Sequence, residues 1–277
     1  MKNLANKIVV ITGAGSGIGR ALAIEYGKLG AWLALNDFDE HGLNETVEIL
    51  KSMGVNHVIS SVFSVSDKNA MANFATHVKT HWRNANIVIN NAGIAGDNLP
   101  AYLLSEESYR RIMEINFFGV LNGCQSFLPQ LVENNEGAIV NVSSIFGLLG
   151  IPNNSDYCAS KFAVRGYTEA LAAEFQQSPI TVHCVHPGGI NTNITKNIDL
   201  DMPGYKERFL TTKPEDIAKY IIKPVQKNRP KIIYGKDSFR ARIYSNFIPQ
   251  KLLTWFTWTE AKTVLNLEPY KKFIKSL

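Results

Sequence analysis

Cysteine is scarce in this chain. Cys124, Cys158 and Cys184 lie far apart, are odd in number and show no metal-ligand spacing. They argue against a disulfide scaffold and suit a reducing compartment. No apolar run is long enough to cross a bilayer. The opening residues, Met-Lys-Asn-Leu-Ala-Asn-Lys, pass straight into a strand-like segment, so no signal peptide is expected and a cytoplasmic location is. Histidine offers no metal centre either. His77 and His81 are four apart but lack the glutamate of an HExxH site, and His183 and His186 lie on or just past a strand.

Charged residues make up only 19% of the chain, and the net charge of +5 is uneven. Residues 1–205 hold 13 Lys+Arg against 18 Asp+Glu, whereas residues 206–277 hold 16 against 6. A mildly acidic body with a basic tail gives no reason to expect nucleic-acid binding.

What is present is alternation. Short β-branched runs at 7–12, 31–36, 57–63, 86–90, 137–142, 180–185 and 231–234 read as strands. Between them lie helical patterns over 20–29, 43–53, 67–82, 105–132 and 157–176, with a helix led by Pro214 before the last strand. Short connections between strand and helix imply parallel βαβ units: a Rossmann-like α/β fold, a doubly wound parallel sheet of about seven strands with helices on both faces. With no internal repeat, one domain over 1–237 and a C-terminal extension over 238–277 are expected.

Tyr157 and Lys161 stand four apart in the 157–176 segment, so a helix puts both on one face. A phenol is a poor base at neutrality, but a fixed ammonium beside it favours the phenolate. Such a pair can take a proton from an alcohol or give one to a carbonyl.

Gly13, Gly15, Gly17 and Gly19 lie between the first strand and its helix. A backbone that turns tightly there lets a pyrophosphate approach the helix N-terminus closely. The spacing departs from G-x-G-x-x-G because Ile18 stands where the last glycine is required, and a purely structural turn is the alternative. Asp37 ends the second strand, where an acid accepts hydrogen bonds from ribose hydroxyls and repels a 2′-phosphate. Neither Ser16 nor Phe38 is basic, so NAD is favoured over NADP. A strand-end acid capping the next turn is the other reading of Asp37.

Together Thr12-Gly-x-x-x-Gly-Ile-Gly19, Asn90-Asn-Ala-Gly93, Asn116, Ser143-Ser144, Tyr157-x-x-x-Lys161 and Pro187-Gly188 resemble the classical short-chain dehydrogenase/reductases over residues 5–235. The resemblance implies a nicotinamide cofactor and reversible oxidation of an alcohol to a carbonyl. It implies Ser144, rather than Ser143, as the hydroxyl that holds the substrate oxygen, Tyr157 as acid/base, and Lys161 as the group that tunes Tyr157 and holds the nicotinamide ribose. Asn116 matches the residue that supports a water relay to the lysine, with a plain helix-kink residue as the alternative. Cofactor contacts fall to Gly13, Ser16, Gly17, Ile18 and Gly19 at the pyrophosphate, and to Asn91, Ala92 and Gly93 beside the adenosine ribose. Pro187, Gly188, Ile190 and Thr192 match the segment at the nicotinamide. Ser64-Val65 departs from the family's usual Asp-Val at the adenine, which implies a weaker contact there.

The loop residues Ile94, Ala95, Phe146, Leu148, Leu149 and Ile151 are apolar, which suits a hydrophobic alcohol, ketone or aldehyde. Padding of a loop or a subunit contact is the competing account. The extension interleaves Arg240, Arg242 and Lys251 with Phe247, Trp255, Phe256 and Trp258, a pattern open to protein packing, preferred here, or to a membrane surface. A homodimer or homotetramer is implied by the family. The rival function is a cofactor-binding regulatory or scaffold protein on the same fold without turnover.

Overall fold

The computed structural model describes residues 3–190 and 210–276. Strand β1 (Ile8–Thr12) is buried at all five positions, because parallel neighbours flank it and helices cover both of its faces. The other strands are β2 (Trp32–Asp37), β3 (Val58–Val62), β4 (Ile87–Asn90), β5 (Gly137–Val142), β6 (Ile180–Pro187) and β7 (Lys231–Tyr234). All pair in parallel in the order β3-β2-β1-β4-β5-β6-β7. The winding reverses between β1 and β4. Their carboxyl ends, Thr12 and Asn90, therefore open the crevice where doubly wound sheets take ligands.

Helices α1 (Gly17–Lys28) and α2 (Glu40–Ser52) follow β1 and β2, and α3 (Lys68–His81) follows β3. Asp67 caps α3 by accepting from the Ala70 N–H at 2.9 Å. The stretch expected as one helical region over 105–132 is divided. It consists of α4 (Glu106–Met113), a π turn at Glu114–Phe118, and α5 (Gly119–Glu133). Apolar periodicity cannot signal one inserted residue, and tertiary contacts of Asn116 hold the wider turn. Beyond lie α6 (Ser155–Glu174) and α7 (Pro214–Gln226), the latter with Pro at its first position.

One core cluster packs β1, β2, β4, β5 and β6 against α1, α2 and α7. The other packs the opposite sheet face against α3, α5 and α6. After β7 the chain forms α8 (Lys236–Phe247), α9 (Gln250–Ala261) and α10 (Glu268–Ser276). Ala241 and Leu253 from α8 and α9 form a third cluster with Leu148 and Leu149, and Ile145, Ile151 and Ile248 pack against it. No helix among the described residues is long and apolar enough to cross a membrane.

Candidate active site

Strand β5 ends at Val142, and the next two serines diverge in role. Ser143 is buried, and its hydroxyl donates to the Lys161 carbonyl at 2.8 Å, which commits it to structure. Ser144 is half-buried, and its Oγ accepts only the Phe146 N–H, at 3.2 Å, among the described contacts. That oxygen keeps acceptor capacity and a proton to donate.

Helix α6 carries Tyr157 and Lys161 on one face. The Lys161 ammonium lies 5.6 Å from the centre of the Tyr157 ring and donates to the Val142 carbonyl at 3.1 Å. Burial pushes its pKa down from 10.5 to about 8, so it stays largely charged at neutral pH. Tyr157 is half-buried and meets Phe146 edge-on, with ring centres 5.9 Å apart. A buried polar chain ties α6 to the sheet. Asn90 Nδ2 donates to Asn141 Oδ1 at 2.8 Å, Asn141 Nδ2 to Thr168 Oγ1 at 3.0 Å, and Thr168 Oγ1 to the Val164 carbonyl at 2.6 Å.

The π turn delivers Asn116 to the same place. Its Oδ1 accepts from the Ile94 N–H at 2.8 Å, and its Nδ2 donates to the Ile94 carbonyl at 3.0 Å and to Ser160 Oγ at 3.1 Å. Asn116 therefore clamps the loop after β4 to α6. A Cβ built on Gly93 would lie 3.0 Å from Asn116 Oδ1 and 3.3 Å from the Lys161 ammonium nitrogen. Four separated segments thus converge on the carboxyl ends of β4 and β5.

The glycine turn adjoins them. Thr12 Oγ1 accepts from the Asn91 and Ala92 N–H groups, each at 3.1 Å, and Asn91 Nδ2 donates to the Thr12 and Gly13 carbonyls. Gly13 has φ +67°, and a Cβ there would come within 2.8 Å of Ala92 Cα, so no other residue fits. Ser16 precedes α1 without a side-chain cap, and its first turn holds no acid. The N-terminal N–H groups of α1 are left for an anion. Asp37 Oδ2 accepts from the Gly15 N–H at 2.7 Å and Oδ1 from the Asp39 N–H at 3.0 Å, so the carboxylate is aimed before any ligand arrives. A glycine-lined cradle, an uncapped helix N-terminus and a fixed carboxylate fit a dinucleotide.

Val65 is buried, while Ser64 is exposed with its hydroxyl 2.8 Å from that of Ser66. Pro187 ends β6, the Gly188 N–H donates to the Tyr234 carbonyl at 2.9 Å, and Ile190 is buried. Thr192 lies outside the described residues. Of the apolar loop residues, Leu148 and Leu149 are spent on packing against α8 and α9, whereas Ile94, Ala95 and Phe146 remain half-buried beside the site.

A family model described as short chain dehydrogenase matches residues 7–203. The chain belongs to that family. A Mycobacterium tuberculosis protein named as an oxidoreductase, SadH, is 37% identical over 94% of this chain and 100% of its own length. The rat protein 17-beta-hydroxysteroid dehydrogenase 13 is 33% identical over 91% of this chain and 82% of its own. The crystal structure of a short-chain dehydrogenase/reductase from Burkholderia phymatum in complex with NAD superposes with a TM-score of 0.81. It is 26% identical and covers 90% of this chain and 96% of that one. This short-chain dehydrogenase is therefore an NAD(P)-dependent oxidoreductase acting on CH–OH groups.

Two groups at the site carry no sequence motif. Asp156 is fully buried, and its carboxylate accepts from the Tyr157 N–H at 2.7 Å, the Ser108 hydroxyl at 3.1 Å and the Asp97 N–H at 3.3 Å. It holds the 96–97 loop and α4 to the start of α6. His186, also buried, donates from Nδ1 to the Ser144 carbonyl at 2.9 Å, and burial pushes its pKa down to about 4. It is a neutral tether, not an acid or base. His186→Leu should lower kcat about tenfold with cofactor affinity unchanged, and His186→Asn, whose amide can stand where Nδ1 does, should recover most of the loss. Steady-state kinetics beside a cofactor titration checks this; equal kinetics for Leu and wild type would remove the tether.

Proposed function

We propose that this enzyme interconverts a hydrophobic alcohol and its ketone or aldehyde, preferring NAD, with Tyr157 as acid/base. The observation that carries the reading is the buried Lys161 ammonium over the Tyr157 ring, in a site otherwise walled by Ile94, Ala95 and Phe146. In the oxidation direction Tyr157 Oη takes the hydroxyl proton while Ser144 Oγ donates to the substrate oxygen and orients it. Lys161 favours the ionised phenol and would hold the nicotinamide ribose. Asn116 holds the loop wall and, through Ser160, the α6 backbone. A nicotinamide held there would supply the hydride acceptor in one direction and the hydride donor in the other.

Gly13, Ser16, Gly17, Ile18 and Gly19 would hold the pyrophosphate, Asn91, Ala92 and Gly93 the adenosine ribose side, Ser64 and Val65 the adenine. Pro187, Gly188, Ile190 and Thr192 would hold the nicotinamide. Preference for NAD is supported by Asp37, whose carboxylate the Gly15 and Asp39 N–H groups hold at the end of β2, and by its neighbour Phe38, which is exposed and uncharged. The Arg20 guanidinium, beside the glycine turn, is engaged by the Gly15 and Gly42 carbonyls, Thr46 and Glu45. A screen of alcohols and ketones followed by NADH absorbance, run with NADPH in parallel, tests both claims. We expect apolar secondary alcohols to lead and NADH to be preferred at least tenfold, with Asp37→Ser narrowing that ratio. Equal use of NADPH would overturn the cofactor assignment.

Residues 1–237 are taken as the catalytic unit. The helix that leads into the 238–277 extension begins at Lys236, just after Gly235. Exposed Phe118, Val132 and Phe162 on the π turn, α5 and α6 support assembly as a dimer or tetramer through those helices. Three free, buried cysteines suit a reducing, cytoplasmic setting.

A further inference from the structure

Each extension helix packs one side on the site loops and turns apolar side chains outward on the other. In α8, Ser238 and Ala241 are buried, while Phe239, Ile243 and Phe247, at spacing i, i+4, i+8, face solvent at 58%, 41% and 80% exposure. In α9, Leu253 and Ala261 are buried, while Leu252, Trp255 and Phe256 face solvent. The two outward faces are continuous. The Tyr244 ring on α8 stacks at 6.4 Å on Phe256 of α9, which meets Trp255 at 5.0 Å. An exposed aromatic surface of this kind marks an interaction site.

Charge selects the partner. Arg240, Arg242, Lys251 and Lys262 are exposed on the same two helices and their end, and among the described residues none pairs with a carboxylate. Residues 236–277 hold eight Lys+Arg against three Asp+Glu. A second copy docking by the same face would set these cations against their own equivalents. Aromatic rings flanked by unpaired Lys and Arg match the chemistry of an anionic lipid interface, where rings sit at headgroup depth and cations meet phosphate.

We propose that the outer face of α8 and α9 docks this enzyme peripherally on anionic phospholipid bilayers. The α10 helix braces that platform against the site loops. Tyr102 donates to the Pro269 carbonyl at 2.7 Å and stacks on Phe273 at 4.2 Å, and Tyr270 donates to Asn153 Oδ1 at 2.5 Å. Docking is independent of the substrate assignment: an enzyme for polar alcohols with this surface would bind the same membrane.

Co-sedimentation of the full chain with phosphatidylcholine vesicles, with and without about one-third phosphatidylserine, tests it. We expect binding to the anionic vesicles and little to the neutral ones. Raising salt from about 0.1 M to about 1 M shortens the screening length from about 10 Å to about 3 Å and should weaken binding strongly. Phe247→Ser with Trp255→Ser, and separately Arg240→Glu with Lys251→Glu, should each cut vesicle partitioning at least tenfold while turnover of a water-soluble alcohol is kept. Turnover also reports that the variants are folded. Two results would overturn docking: no partitioning of the wild type onto anionic vesicles, or a lipid-free sedimentation coefficient that falls in both variants, which would make this face a contact between copies.

Discussion

Tyr157→Phe should lower kcat by about 10³-fold or more while leaving dinucleotide affinity within a few-fold of wild type. Acid–base catalysis by one positioned group is worth about 10²–10⁴ in rate. Here the substitution removes only the phenolic oxygen. The ring keeps its edge contact with Phe146 and its place beneath Lys161. The half-buried helix position tolerates Phe, so the fold should stay intact. Stopped-flow turnover and fluorescence titration of the cofactor read the two effects apart. A cofactor-binding protein without turnover, the rival function, predicts no measurable rate in the wild type and so no difference to lose. Retained activity in the Phe variant would remove Tyr157 from the chemistry, whatever the family.

Lys161→Met should abolish turnover by a comparable factor and yet stabilise the free enzyme. The wild-type ammonium is buried, with the Val142 carbonyl as its one described hydrogen-bond acceptor. A pKa lowered from 10.5 to about 8 corresponds to about 3 kcal/mol of destabilisation at neutral pH. Losing the bond to Val142 returns about 1 kcal/mol of that. A net gain of about 2 kcal/mol, or several degrees in Tm, is expected. The sign of the pH dependence is distinctive. Because the folded pKa lies below the unfolded one, the unfolded chain binds more protons between about pH 8 and 10.5, so wild-type stability from this group rises across that window. The Met variant lacks that rise. Thermal unfolding of the cofactor-free proteins at pH 7 and pH 10 measures it: the advantage of Met should shrink at the higher pH. An advantage that grows with pH would mean the ammonium is stabilised in the fold.

Much of the architecture was legible from residue order. Seven β-branched runs alternating with helical patterns specify a parallel sheet, because short crossovers permit little else and strands covered on both faces must be apolar throughout. The placement of Gly13, Asp37, Tyr157 and Lys161 could be read directly, since it depends on local spacing: a turn that excludes Cβ, a strand-end carboxylate, one helical turn between phenol and ammonium.

Other features depend on segments far apart in the chain. The π turn at Glu114–Phe118 is held by Asn116 bonding to Ile94 and Ser160, partners 22 and 44 positions away. The separate fates of Ser143 and Ser144 follow from where the Lys161 carbonyl and the His186 ring come to rest, and Asp156 acts through loops it joins only in the fold. Composition leaves Leu148 and Leu149 open between pocket wall and loop padding; α8 and α9 cover them, and which aromatic side of those helices stayed outside was likewise decided there. Periodicity and spacing encode what a residue does with its own neighbours in the chain. Burial, and the hydrogen bonds that must be satisfied once water is excluded, are set only when distant segments meet.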